Sequence, residues 1–201
     1  MALKHSYSLL APLYDIAVKG PLDDARRTSL SRLQNIGGKE ILINGIGTGL
    51  DLEYLPHGAS YTGSDITPSM LKRAHTRARQ TGFDIRLECA DSQQLPFASE
   101  SFDIVVMHLI LAVVPDPARA LQEAGRVLKN NGAIYILDKF LKPGEFAPVR
   151  RSLNTVLRHI ATRTDVVFED VLSCSTDLHV VKDDPALAGG WFRLIELVKK
   201  Y

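Results

Sequence analysis

Residues 41–49 read Ile41-Leu42-Ile43-Asn44-Gly45-Ile46-Gly47-Thr48-Gly49, an apolar strand that runs into three glycines at alternate positions and then toward a helix beginning near Leu50. Glycines at such a turn accept backbone angles that a Cβ forbids, and they let the chain approach a bound ligand closely. Asp65 ends a second strand-like run twenty residues after Gly45. A carboxylate at that strand end can accept hydrogen bonds from both hydroxyls of an adenosine ribose. The competing reading, a surface loop followed by an N-capping Asp, leaves the paired spacing unexplained.

From Gly38 onward short apolar runs alternate with helical patterns, the signature of an α/β sheet. Strands are expected at 40–44, 60–64, 84–88, 102–107 and 133–137, the fourth and fifth apolar enough to be buried on both faces. Thr67-Pro68 opens a helix through Arg79, with a capping hydroxyl before a proline whose missing N–H costs nothing there. Asp116-Pro117 repeats the device before Ala118–Leu128, where Leu121, Ala124, Val127 and Leu128 share an inward face. Asn131-Gly132 turns the chain into the fifth strand. A helix over 22–34 caps the sheet, and Leu178–Val181 and Phe192–Val198 add two strands around a loop at Asp183–Gly190. The expected fold is a Rossmann-like, seven-stranded, mostly parallel sheet with helices on both faces and an antiparallel C-terminal strand. One domain is expected over 1–201: a helical cap or lid over 1–36, a cofactor-binding core over 37–140, and a substrate-side helix with the last two strands over 141–201.

Dinucleotide sites favour G-x-G-x-x-G, whose last glycine admits a pyrophosphate at a helix N-terminus. Here Leu50 holds that place and the third glycine comes one step earlier. The pattern favours S-adenosylmethionine, which has no phosphate. Just past the third strand, Asp91-Ser92 can serve an adenine: the acid accepts from its amine and the backbone N–H donates to its ring. Asp91 can equally cap the short turn at Ser92–Gln94. His108 follows the fourth strand, at the carboxyl edge where open α/β sheets bind ligands. It is a candidate general base or head-group contact, or a structural histidine bonded to a backbone carbonyl. Asp138 and Lys139, past the fifth strand, are weaker candidates for touching a substrate.

Together these residues resemble the class I S-adenosylmethionine-dependent methyltransferases over about Gly38–Phe140, with the quinone-biosynthesis branch among them. Gly45/Gly47/Gly49, Asp65, Asp91-Ser92, Leu95-Pro96-Phe97, Val114-Pro115-Asp116-Pro117 and Arg126-Val127-Leu128-Lys129 stand where that family's motifs stand. A second resemblance, to soluble bacterial phosphatidylethanolamine N-methyltransferases, rests on Tyr14-Asp15, Gly47-Thr48-Gly49-Leu50 and Leu111–Pro117. The family resemblance implies S-adenosylmethionine as cofactor, S-adenosylhomocysteine as product, and Gly45, Gly47, Thr48, Gly49, Asp65, Ile66, Asp91, Ser92 and His108 as its contacts. It also implies Tyr14 over the cofactor and, with His108, in the catalytic site. A lipid amine such as that of phosphatidylethanolamine is the first candidate acceptor. The alternatives are a quinone-like or other small aromatic acceptor, and a non-catalytic protein that binds the cofactor. One position departs from the family. Ile43 stands where members carry an acid that holds the cofactor's methionine part, and a lost charged hydrogen bond costs ~1.5–3 kcal/mol. Binding is then expected to rest on Asp65, Asp91 and the glycine backbone.

Lys plus Arg number 24 against 23 acids, so no global field draws in nucleic acid. Arg150, Arg151, Arg158 and Arg163 nevertheless line an amphipathic pattern over 147–163 that can rest on an anionic lipid surface, or be a solvated face. Leu3, Tyr7, Leu10, Tyr14 and Ala17 form a stripe of helical spacing that Pro12 interrupts. Asp15 breaks the apolar start and no cleavage site follows, so no signal peptide is expected. No run reaches the ~20 apolar residues of a membrane-spanning helix. Cys89 and Cys174 lack ligand spacing, and the histidines show no metal-ligand pairing, so neither a disulfide framework nor a metal is expected. The cytoplasm is the expected compartment, with peripheral contact at the inner membrane face left open.

Overall fold

The computed structural model describes residues 20, 22–141 and 165–200. The expectations for Tyr14, the N-terminal stripe and the basic stretch 147–163 lie outside those residues.

Seven strands form one sheet: β1 (Glu40–Asn44), β2 (Ser60–Asp65), β3 (Arg86–Cys89), β4 (Phe102–His108), β5 (Leu128–Lys139), β6 (Leu178–Leu187) and β7 (Phe192–Lys199). Their spatial order is β3-β2-β1-β4-β5-β7-β6. The first five pair in parallel, while β7 runs antiparallel between β5 and β6. The order reverses between β1 and β4, the point where open parallel sheets hold ligands beyond their carboxyl ends.

Successive side chains of a strand point to opposite faces, and the central strands feed two separate cores. Ile41, Ile43, Ile104, Val106 and Tyr135 pack with Leu30 of α1 (22–30) and with Ala74 and Ala78 of α2 (Pro68–Thr81). On the other face Leu42, Val105, Met107, Ile134 and Ile136 meet Ala120, Leu121, Ala124 and Val127 of α3 (Pro117–Val127), and Phe168 and Val171 of α4 (Phe168–Leu172). The helices therefore cover both faces, and the inward face expected for Leu121, Ala124, Val127 and Leu128 is fully buried.

Several local expectations need correction. The helix expected from Leu50 is a single 3₁₀ turn, Leu50–Glu53; Pro56 lies three residues beyond and cannot continue a helix. Thr67 occupies the N-cap of α2 without a side-chain cap bond; Asp116 does cap α3, its carboxylate accepting from Arg119 N at 3.0 Å. Strand β5 begins at Leu128 rather than 133, because Asn131, at φ 61°, and Gly132 form an irregularity inside it. Asn tolerates that left-handed backbone better than most residues. The stretch from Asp183 is strand through Leu187, paired with β7 and tied by Asp183 to Arg193. Pro185 is tolerated there because β6 is an edge.

One buried clamp fixes the turn that follows β3. Glu123 of α3 accepts from Leu95 N at 2.9 Å and from Arg126 Nε and Nη2, each at 2.9 Å. Arg126 in turn donates to the carbonyls of Leu95 and Phe97. Arg126 is a third exposed, so the ion pair itself is screened and the orphaned N–H dominates the cost of its loss. Glu123→Ala should lower stability by about 1–3 kcal/mol, read as a fall in the urea unfolding midpoint.

Candidate active site

A cavity opens at the carboxyl edge of the sheet, walled by the segments that follow β1, β2, β3 and β4 and by Arg26 of α1. Its floor is the glycine turn from Gly45 to Thr48; Gly49, expected as a cofactor contact, faces α2 and does not line it. Gly45, Gly47 and Gly49 all have positive φ, 80°, 56° and 80°, a backbone region open to glycine without penalty. A Cβ on Gly47 would meet no heavy atom within 4 Å, so its missing side chain faces open space. At Gly49 a Cβ would lie 3.2 Å from Ala74 Cα, and its absence lets α2 pack against the turn.

Asp65 joins the turn to the start of α2. Its Oδ2 accepts from Gly47 N at 3.0 Å and its Oδ1 from Thr67 N at 2.8 Å. Burial raises its pKa, against the lowering effect of those N–H groups. Asp91 lines the same wall and also does what the turn reading asked, accepting from Gln93 N at 2.9 Å and from the Gln93 amide. Ser92 donates to Asn44 Oδ1 at 2.7 Å, and Ser64 to the same oxygen at 3.3 Å. Asn44, fully buried at the end of β1, thus ties three strand ends together. Ile66 stands 44% exposed at the mouth. Thr48 is buried in the floor.

His108 ends β4 and reaches the cavity wall, and its partners are side chains rather than the backbone carbonyl of the structural reading. Its Nδ1 lies 3.1 Å from Asp51 Oδ1 and its Nε2 lies 2.9 Å from Ser29 Oγ. Both ring nitrogens are engaged by side chains, so a base role has to run through Ser29 Oγ or displace one of the two partners. Asp51 Oδ1 also accepts from Arg26 Nη1 at 2.5 Å. Burial pushes the Asp51 pKa up, but His108 and Arg26 outweigh it and hold the carboxyl well below the usual carboxylate range. Arg26 and Asp51 escaped the sequence reading. Asp51's place just past the glycine turn was the one signal available; Arg26 lies in an ordinary charged run, and only the fold brings it there. Ile43 is packed in the core and lines no part of the cavity. Among the described residues no group of three His, Cys, Asp or Glu gathers to hold a metal, and no helix is long and apolar enough to cross a membrane.

Comparison with known proteins matches residues 42–136 to the methyltransferase domain family. Phosphatidylethanolamine N-methyltransferase of Cereibacter sphaeroides is 30% identical over 202 residues, covering 99% of this chain and 98% of that enzyme. Ubiquinone biosynthesis O-methyltransferase of Coxiella burnetii is 34% identical over 99 residues, 49% of this chain and 42% of that enzyme. Among solved structures, a geranyl diphosphate methyltransferase in complex with S-adenosylmethionine superposes with a TM-score of 0.74 at 14% identity, covering 89% of this chain and 85% of that one.

The far wall of the cavity is apolar, formed by Leu109, Ile110, Val113 and Val114. Leu109 has φ 58°, a strained angle for a side chain this large, and its N–H donates to Leu137 O at 2.7 Å. Asp138, within β5 and 1% exposed, holds the loop by accepting from Ala112 N at 3.1 Å and from Lys139 N at 2.8 Å. It lies behind the wall and does not line the cavity, which corrects its reading as a substrate contact. Burial pushes its pKa up to about 6. The folded state therefore binds this proton more tightly than the unfolded chain, and the stability so gained is lost as pH rises through about 6. Urea unfolding should show wild type losing up to about 3 kcal/mol relative to Asp138→Asn between acid and neutral pH.

Proposed function

This chain belongs to the S-adenosylmethionine-dependent methyltransferase family, and from that premise we propose that its acceptor is the amine of a phosphatidylethanolamine-type lipid. The end-to-end similarity to a phosphatidylethanolamine N-methyltransferase carries this reading. The apolar wall of Leu109, Ile110, Val113 and Val114 supports it, since an acceptor with hydrocarbon character can lie against such a surface. The partial similarity to a ubiquinone O-methyltransferase favours the second reading, a quinone-like aromatic acceptor.

The cavity suits the cofactor on grounds of its own. Space lies open above Gly47, and carboxylates follow the ends of β2 and β3, neighbours in the sheet. In our reading Asp65 would accept from the ribose hydroxyls, Asp91 and Ser92 would meet the adenine, Ile66 would cover its face, and Gly45, Gly47 and Thr48 would form the bed of the methionine part. Bound S-adenosylmethionine supplies an already activated methyl group. The chain then has mainly to align acceptor and methyl, which can contribute ~7–11 kcal/mol. An amine must shed its proton before it attacks. Because Asp51 and Ser29 occupy the His108 ring, we assign His108 to holding the wall and let solvent take the proton. Tyr14, as the resemblance implies, would lie over the cofactor.

Purified protein with labelled methyl donor should place label in phosphatidylmonomethylethanolamine when given phosphatidylethanolamine vesicles. Label in a quinone fraction of whole lipid extract would favour the second reading; cofactor binding without any product would favour a binding protein. The basic pattern over 147–163 implies that anionic vesicles raise the rate at low salt and lose that advantage at high salt. Asp65→Asn should weaken S-adenosylhomocysteine binding at least ten-fold by calorimetry, as expected for a lost charged hydrogen bond of ~1.5–3 kcal/mol. With Asp65's pKa raised, wild-type affinity should also fall on acidification earlier than an ordinary carboxylate would allow. Finally, the pH profile of turnover should survive His108→Asn in shape; a changed profile would return the base role to His108.

A further inference from the structure

We infer that Asp51 is the receptor for the α-ammonium of the cofactor's amino-acid tail. This rests on the reading that the cavity holds S-adenosylmethionine. That ligand is long: adenine at one end, ribose in the middle, and a tail ending in an ammonium and a carboxylate. The ammonium needs an acceptor, and the strand leading into the glycine turn offers the apolar, buried Ile43. Three carboxylates line the cavity: Asp91, Asp65 and Asp51. They fall in sheet order. Asp91 follows β3, Asp65 ends β2, and Asp51 sits past the β1 turn against His108 at the end of β4.

With the nucleoside at the β3 and β2 ends, the tail extends over β1 toward β4, where Asp51 is the carboxylate in reach. Its two oxygens differ. Oδ1 takes the bonds from both Arg26 and His108, while Oδ2 makes no hydrogen bond among the described residues. The group is 3% exposed, lines the cavity and is held ionised by its neighbours, so it offers a fixed negative oxygen at low cost in reordering. Asp65 and Asp91, by contrast, already hold a protein donor on each oxygen, and in our reading their remaining lone pairs serve the ribose and the adenine. Arg26 and His108 act here as positioning residues that aim Asp51.

A primary ammonium could also come from the acceptor, so the test uses binding without acceptor. Titration calorimetry would compare S-adenosylhomocysteine, its analogue lacking only the α-amino group, and 5′-methylthioadenosine, which lacks the whole tail. Wild type should bind the deaminated analogue about ten- to a hundred-fold more weakly than S-adenosylhomocysteine. Asp51→Asn should weaken S-adenosylhomocysteine by a similar factor and leave 5′-methylthioadenosine within two-fold. Equal wild-type affinity for the first two ligands would overturn the inference, whatever the variant's fold. So would an Asp51→Asn effect confined to the Michaelis constant of the acceptor. If wild type bound none of the three, the cofactor reading itself would fall.

Discussion

Burial of the same few strands from both sides is the constraint on which this molecule is built. Ile41, Ile43, Ile104 and Val106 face one apolar layer, and Leu42, Val105 and Met107 the other. Neither face of β1 or β4 leaves room for an unpaired polar group, since each would cost a few kcal/mol unless matched. Chemistry is displaced to the ends of the strands, where the chain turns and backbone N–H groups lose their sheet partners. The ends of β1, β2, β3 and β4 converge on one cavity for that reason.

Carboxylates then do most of the organising. Asp65 satisfies N–H groups of two different segments, Asp91 one within its own turn, Asp138 one of the loop behind the cavity and one of its own strand, and Glu123 that of Leu95. The environment decides how each behaves. Asp138, buried and with no cation hydrogen-bonded to it among the described residues, has its pKa pushed up, whereas Asp51, equally buried beside Arg26 and His108, stays ionised. Two acids at neighbouring depths thus differ in how tightly they hold a proton because of what surrounds them.

The strand–glycine–strand grammar made the parallel sheet and the β1 and β2 contributions to the cavity legible, since spacing along the chain maps directly onto adjacent strand ends. Asp116 was legible as a cap for the same local reason. The connection between Arg26 and Asp51 was not, because twenty-five residues separate them and no periodicity links a helix to a 3₁₀ turn. The extent of β6 was hidden too: Asp183, Asp184 and Pro185 read as loop residues, and only pairing with β7 and the ion pair to Arg193 make them strand. For His108 the position was readable but the partners were not. Ser29 and Asp51 reach the ring from opposite parts of the chain, and both are delivered by packing.

The unusual angle at Leu109 has a consequence for recognition. A leucine wound left-handed, pinned through its N–H to Leu137 and followed by a loop anchored on Asp138, has few other shapes to adopt. The chain tolerates local strain so that this wall is set before a guest arrives. A guest that meets a ready surface forfeits less of its binding free energy to ordering its host. On this side of the cleft, selectivity is therefore a matter of contour, fixed when the protein folds.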